Sequence, residues 1–191
     1  MGSKKSAQKS SSVVEASIQV ETLADGTTNV REMGTLTVSL VSWLKSKGQS
    51  DTVEIADDGS SAQYNFEITS IDGETDYDCF IDVFEEFGLI TLCAYYNDRE
   101  IDVESLGNDV YALLAKTNFD LSIGQFQLVG NEDAKTLRYY SSVKVGAPSS
   151  ERVDSSDNAI VHSVYENLFD SCCSALNENI QEVLDYVEVN S

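Results

Sequence analysis

The sequence predicts an α+β protein: an antiparallel sheet of five or six strands carrying three main helices. Three observations lead there. Apolar and polar residues alternate on both arms of the segment from Gly124 to Val145, with Phe126 and Leu128 facing one way. Leu137, Tyr139, Val143 and Val145 share a face of the second arm, as half-buried strands require. The run Leu89-Ile90-Thr91-Leu92-Cys93-Ala94-Tyr95-Tyr96 is apolar on both faces, which marks a central strand. Three other stretches instead repeat their apolar residues at helical spacing.

The first helical stretch runs from Leu36 to Lys47, where Leu36, Leu40, Trp43 and Leu44 fall on one face; Lys45 and Lys47 suit the last turn and Gly48 the stop. A meander follows, with Val53 and Ile55, then Tyr64, Phe66 and Ile68, then Cys79 to Phe84, separated by Asp57-Asp58-Gly59 and Asp72-Gly73 turns. The second helix spans about residues 103–117, with Asn118 as its expected end. The third follows the capping side chains Asp154-Ser155-Ser156-Asp157 and carries one apolar stripe from Val161 to Val187. Roughly 30 residues at ~1.5 Å each make about 45 Å, longer than a domain of this size is wide. Either this helix breaks near Asn177–Asn179, or its end, Ile180, Val183, Leu184 and Val187, packs on a second copy as a dimer contact. Residues 1–34, rich in Ser, Thr, Gly and Lys, are expected to be a flexible N-terminal tail with one strand near residues 17–23, leaving residues 35–191 as a single domain.

A chain of 191 residues, 41% of them hydrophobic, with nine Tyr and seven Phe, can bury a core without staples. Its 33 acids against 12 bases give a formal net charge of −21. Between residues 51 and 109 there are 17 acids and one base, Arg99. Such a field repels phosphate backbones and anionic lipids, so neither nucleic acid nor membrane is an expected partner. The sequence has no apolar run long enough to span a bilayer. Cys79, Cys93, Cys172 and Cys173 include no C-x-x-C pair and read as buried thiols of a cytoplasmic protein. Met1-Gly2-Ser3-Lys4-Lys5-Ser6 fits an N-myristoylation pattern, and equally an expression-vector scar or a plain soluble tail.

Chemistry is sparse. The lone His162 and Cys173 stand eleven residues apart on one helix, about 16 Å, too far for a nucleophile–base pair. The alternating acids Asp72, Glu74, Asp76 and Asp78 do not make a calcium loop, because Tyr77 and Val83 stand at its sixth and twelfth positions. No catalytic residue, cofactor or metal site is expected, and the chain does not read as an enzyme. Arg138, Tyr140 and Lys144 alternate on the outward face of the second hairpin arm, the Tyr as an amphipathic anchor and the Arg as a bidentate donor to a carboxylate; this is the expected protein-binding face.

Several short motifs recur in order: Phe87-Gly88-Leu89-Ile90-Thr91-Leu92, Leu113-Leu114 leading to Asn118, Gly124-Gln125-Phe126-Gln127-Leu128, Leu137-Arg138-Tyr139-Tyr140, and Ala175-Leu176. Over residues 35–187 this arrangement resembles the YbjN-like family of bacterial proteins, which share the fold of class I type III secretion chaperones. The resemblance implies a chaperone-like fold that binds a stretch of another protein chain, and a homodimer; it transfers no functional residue. The expected function is a non-enzymatic, protein-binding or chaperone-like regulator. The alternative is an acidic structural or weak cation-binding protein.

Overall fold

In the computed structural model, residues 18–22, 28–49, 53–71, 73, 75–96, 107, 109–130, 135–145 and 155–190 are described. The tip of the hairpin (131–134), the segment around Pro148, Asp72, Glu74, the caps expected at residue 154 and the lipidation pattern lie outside them. Strands β1 (Ile18–Thr22) and β2 (Thr28–Glu32) form a two-stranded antiparallel ladder, where the sequence suggested one strand.

The main sheet has six antiparallel strands: β3 (Glu54–Ile55), β4 (Ser61–Thr69), β5 (Asp76–Phe84), β6 (Leu89–Tyr96), β7 (Gln125–Gly130) and β8 (Lys135–Lys144), in the order β3-β4-β5-β6-β8-β7. Strand β6 is interior, between β5 and β8, as its two apolar faces predicted. Helices α1 (Thr35–Ser46), α2 (Asp109–Phe119), α3 (Ser155–Ser174) and α4 (Gln181–Asn190) complete the α+β fold. Helix α2 contains Asn118 rather than ending on it.

The pleat decides which side the helices occupy. Tyr64, Ile81, Leu92 and Tyr139 are buried with Leu36, Leu40, Trp43 and Leu44 of α1 and Tyr165, Leu168 and Cys172 of α3 in one core. Each large apolar side chain so buried stabilises the fold by about 1.5–3 kcal/mol. Trp43 stacks on Tyr165 at 5.7 Å and donates from its indole N–H to Glu166 at 2.9 Å, which joins α1 to α3.

Helix α1 has no side-chain cap of its own, because Gly34 stands at its N-cap. The carboxylate of Glu85, in the turn between β5 and β6, takes over. It accepts from the amides of Leu36 and Thr37 at 3.2 and 2.7 Å and from the Thr37 hydroxyl at 2.8 Å. A carboxylate at this end satisfies first-turn donors and opposes the helix dipole. Gly34 leaves room for this cap, since a Cβ there would displace the Glu85 carboxyl from the helix end. Tyr165 donates to the Leu36 carbonyl at 2.9 Å, so the first turn of α1 is held by the sheet and by α3 together.

Of the two alternatives that the overlong C-terminal helix left open, the structure shows the break near Asn177–Asn179. Residues Ala175–Asn179 form a π turn, and α4 restarts at Gln181. Asn177 donates to the Cys173 carbonyl at 2.8 Å and accepts from the Ile71 amide at 3.1 Å, which ties the break to the β4–β5 turn. This corrects the expected dimer contact. Ile180, Val183, Leu184 and Val187 are 2, 0, 4 and 3% exposed within the single chain, so they offer no face to a second copy. Helix α4 packs back on α2, with Lys116 and Glu182 paired at 2.8 Å across that contact.

Just before β7, Gly124 takes φ +78° and leaves room for the Tyr139 hydroxyl, which donates to the Ile123 carbonyl at 2.8 Å. Burial pushes the Tyr139 phenol up to about 12. Asn118 reaches from α2 to the outer edge of β7. Its amide accepts from Phe126 N–H at 2.6 Å and donates to the Phe126 carbonyl at 2.9 Å, as a neighbouring strand would.

Replacing Glu85 by Ala should lower unfolding free energy by about 2–3 kcal/mol, the scale of charge-assisted bonds lost from a partly buried helix end. Urea denaturation measures it. An unchanged midpoint would show that α1 does not depend on this carboxylate.

Candidate functional site

With the helices on one side, the opposite face of the sheet carries the polar half of each strand's alternation. Cross-strand register aligns these residues in rows. Glu67, Asp78, Tyr95, Arg138 and Gln127 form one row across β4, β5, β6, β8 and β7; Asn65, Phe80, Cys93, Tyr140 and Gln125 form the next. Neighbouring strands lie about 4.8 Å apart, so the first row passes from the acids Glu67 and Asp78 through Tyr95 to Arg138 within about 20 Å.

Arg138 is the centre of this face. Its Nε–H and Nη2–H donate to Gln127 Oε1 at 3.0 and 2.8 Å, and Nη1–H donates to the Tyr95 hydroxyl at 3.1 Å. The guanidinium carbon lies 5.1 Å from the Tyr140 ring centroid and 5.9 Å from that of Tyr95, within cation–π range. Phe80 meets Tyr95 edge-on at 5.8 Å. A shallow depression of about 500 Å³ opens beside this cluster, lined by Gln63, Asp78, Phe80, Asp82, Cys93, Tyr95 and Thr136. Its Asp82 carboxylate accepts from Gln63 Nε2 at 2.6 Å and from the Thr91 hydroxyl at 3.4 Å.

The structure therefore brings Arg138 and Tyr140 together but leaves Lys144 exposed at the end of β8, opposite Leu89. Arg138 is not the free bidentate donor that its outward position suggested: three of its N–H groups are engaged within the sheet, which fixes the guanidinium as a platform. Tyr95, Phe80 and Gln127 complete the cluster from other strands, and no local sequence pattern singled them out.

Cys93 lies beneath this cluster at 7% exposure, and burial pushes its thiol up while the Arg138 charge opposes the shift. In the core behind the sheet, a hydrogen bond with Cys79 and burial push the Cys172 thiol up. All four cysteines are free. His162, on α3, leaves its Nε2 without a hydrogen-bond partner. Among the described residues no group of three or more His, Cys, Asp or Glu side chains could hold a metal ion, and no helix is long and apolar enough to cross a membrane.

No protein-family model matches the sequence, and no curated protein matches it. Among solved structures, the chain is similar to the crystal structure of YbjN from E. coli, described as "a putative transcription regulator". The identity is 17% and the TM-score 0.38, over 72% of this chain and 88% of that one.

Because burial and Arg138 act on Cys93 in opposite directions, alkylation reports on both. The iodoacetamide rate at Cys93 should keep climbing beyond the ordinary thiol range near pH 8.5. In Arg138→Gln, which removes the charge favouring thiolate, the rise should move to still higher pH. A plateau by pH 8, or no shift in the variant, would contradict this environment.

Proposed function

We infer that the protein is a non-enzymatic binding module, regulatory in role, that holds a segment of another protein on the sheet face opposite its described helices. The observation that carries this reading is the Arg138 cluster. Tyr95, Tyr140, Phe80 and an immobilised guanidinium form an amphipathic surface on a half-exposed face, with no described element packed over it. Aromatic and Arg side chains fixed before association lose little rotamer entropy on binding, which is why such residues dominate interface energetics. The row's own polarity supports a protein ligand: Glu67 and Asp78 at one end and Arg138 at the other present both signs within one peptide's reach.

Affinity capture from the native host tests this reading. The wild-type chain should retain a partner that the folded double variant Tyr95→Ser with Tyr140→Glu loses, circular dichroism confirming the fold. A partner set held equally by both proteins, or none held by the wild type, would refute a binding role for this face.

A further inference from the structure

The two long edges of the sheet are finished differently. At β7 the side chain of Asn118 occupies both main-chain groups of Phe126, so that edge is blocked where a strand would begin to add. At the other edge, β3 covers β4 only at Ala62 and Gln63. The direction of the remaining main-chain groups of β4 follows from its two ends. Ser60 O accepts from Glu85 N at 2.9 Å and Ser70 N donates to Thr75 O at 2.8 Å, so even-numbered residues bond towards β5. Ser61 O accepts from Ala56 N at 3.0 Å on the opposite side. Strand alternation then turns the N–H and C=O of Glu67 and Thr69 outward, away from β5. Among the described residues no strand pairs with them.

Both flanks of this open edge are prepared for side chains. On the helix side, a largely apolar cleft of about 260 Å³ opens next to Phe66, walled by Trp43, Tyr64, Phe66 and Phe169, with Lys47 and Asp170 also in its lining. Phe66 stacks on Tyr64 at 5.5 Å and meets Phe169 at 5.8 Å, so the walls are fixed. On the opposite face, Glu67 and Asp78 are cross-strand neighbours, two carboxylates side by side in a chain of formal net charge −21.

We propose that the β4 edge between Phe66 and Thr69 accepts an extended basic segment of a partner protein as an added strand. One large apolar side chain of that segment enters the Trp43–Phe169 cleft, and Lys or Arg at the alternate positions faces Glu67 and Asp78. Main-chain bonds to Glu67 and Thr69 supply affinity, and the period-two side chains supply selection. The occupant's chemistry follows from charge complementarity on one flank and an apolar cavity on the other. This surface shares Glu67 and Asp78 with the acidic end of the Arg138 row, but its main-chain edge and its cleft contain no residue of the aromatic cluster. Tyr95→Ser with Tyr140→Glu therefore tests one reading and the methylated peptides test the other.

Trp43 is the only tryptophan in the chain and lines the cleft, so its fluorescence reads occupancy directly. The probe is an acetylated, amidated heptapeptide of alternating lysines and apolar residues with a central phenylalanine, titrated into the full chain. Saturable binding with a Trp43 emission change is expected, and a glutamate-for-lysine peptide should not bind. N-methylating the alternate amides that face the edge should weaken binding by about tenfold or more, whereas methylating the other set should change it little. Glu67→Pro, which removes an outward N–H, should weaken binding by about tenfold, and more than the charge-only variant Glu67→Gln. If the proline variant fails to fold, the two methylated peptides still decide. No binding at about millimolar peptide, equal effects of both methylation sets, or binding without a Trp43 response overturns the proposal. It is also overturned if the chain alone sediments as a dimer that Glu67→Pro converts to a monomer, because the occupant is then a second copy.

Discussion

Glu85 holds the helical layer to the sheet. Its carboxylate crosses 48 residues of sequence to the Thr37 amide and hydroxyl, at the start of a helix that has no cap of its own. The arrangement works only because Gly34 leaves the carboxylate room and the β5–β6 turn delivers it there. Once that end is fixed, Leu36, Leu40, Trp43 and Leu44 can face the sheet, Tyr165 can close on the Leu36 carbonyl, and α3 has a neighbour to pack against. A long-range ionic cap of this kind sets the position of a helix more sharply than apolar contact, which is non-directional.

With the helices committed to one face, the sheet has an opposite side that no described element covers and two edges, and the chain treats these three surfaces differently. The β7 edge is closed by a side-chain amide that imitates a strand. Among the described residues the β4 edge beyond Gln63 has no partner strand, and an aromatic cleft flanks it. That opposite face is neither plainly solvated nor apolar: in one row Tyr95 stands between the acids Glu67 and Asp78 and the base Arg138. Arg138 is held by Gln127, Tyr95 and Tyr140, so the surface is organised before any partner arrives.

Much of this architecture was legible in the residues. Alternation located β8, a run apolar on both faces located the interior strand β6, helical spacing located α1, and excess length together with three polar residues marked where the last helix could break. What stayed hidden depends on pairing through space. The stripe Ile180, Val183, Leu184 and Val187 read as a contact for a second copy because its true cover, α2, is far away in sequence. Arg138 read as a free donor because Gln127 and Tyr95 meet it only once β7, β8 and β6 are in register. Glu85 read as one more acid in a very acidic stretch. Asn118 was visible as a landmark, but its pairing with Phe126 depends on how α2 is set against the sheet edge.

That one face of the sheet stands open in the 191-residue chain is the premise from which the binding reading proceeds. Solvent paramagnetic relaxation of the tyrosine rings, measured by NMR on the full chain with a soluble gadolinium chelate, tests it most directly. The rings of Tyr95 and Tyr140 should relax strongly, while those of Tyr77, Tyr139 and Tyr165, buried beneath the helices, should be spared. Protection of Tyr95 and Tyr140 to the level of the buried rings would mean that the chain covers this face itself, and would contradict the account.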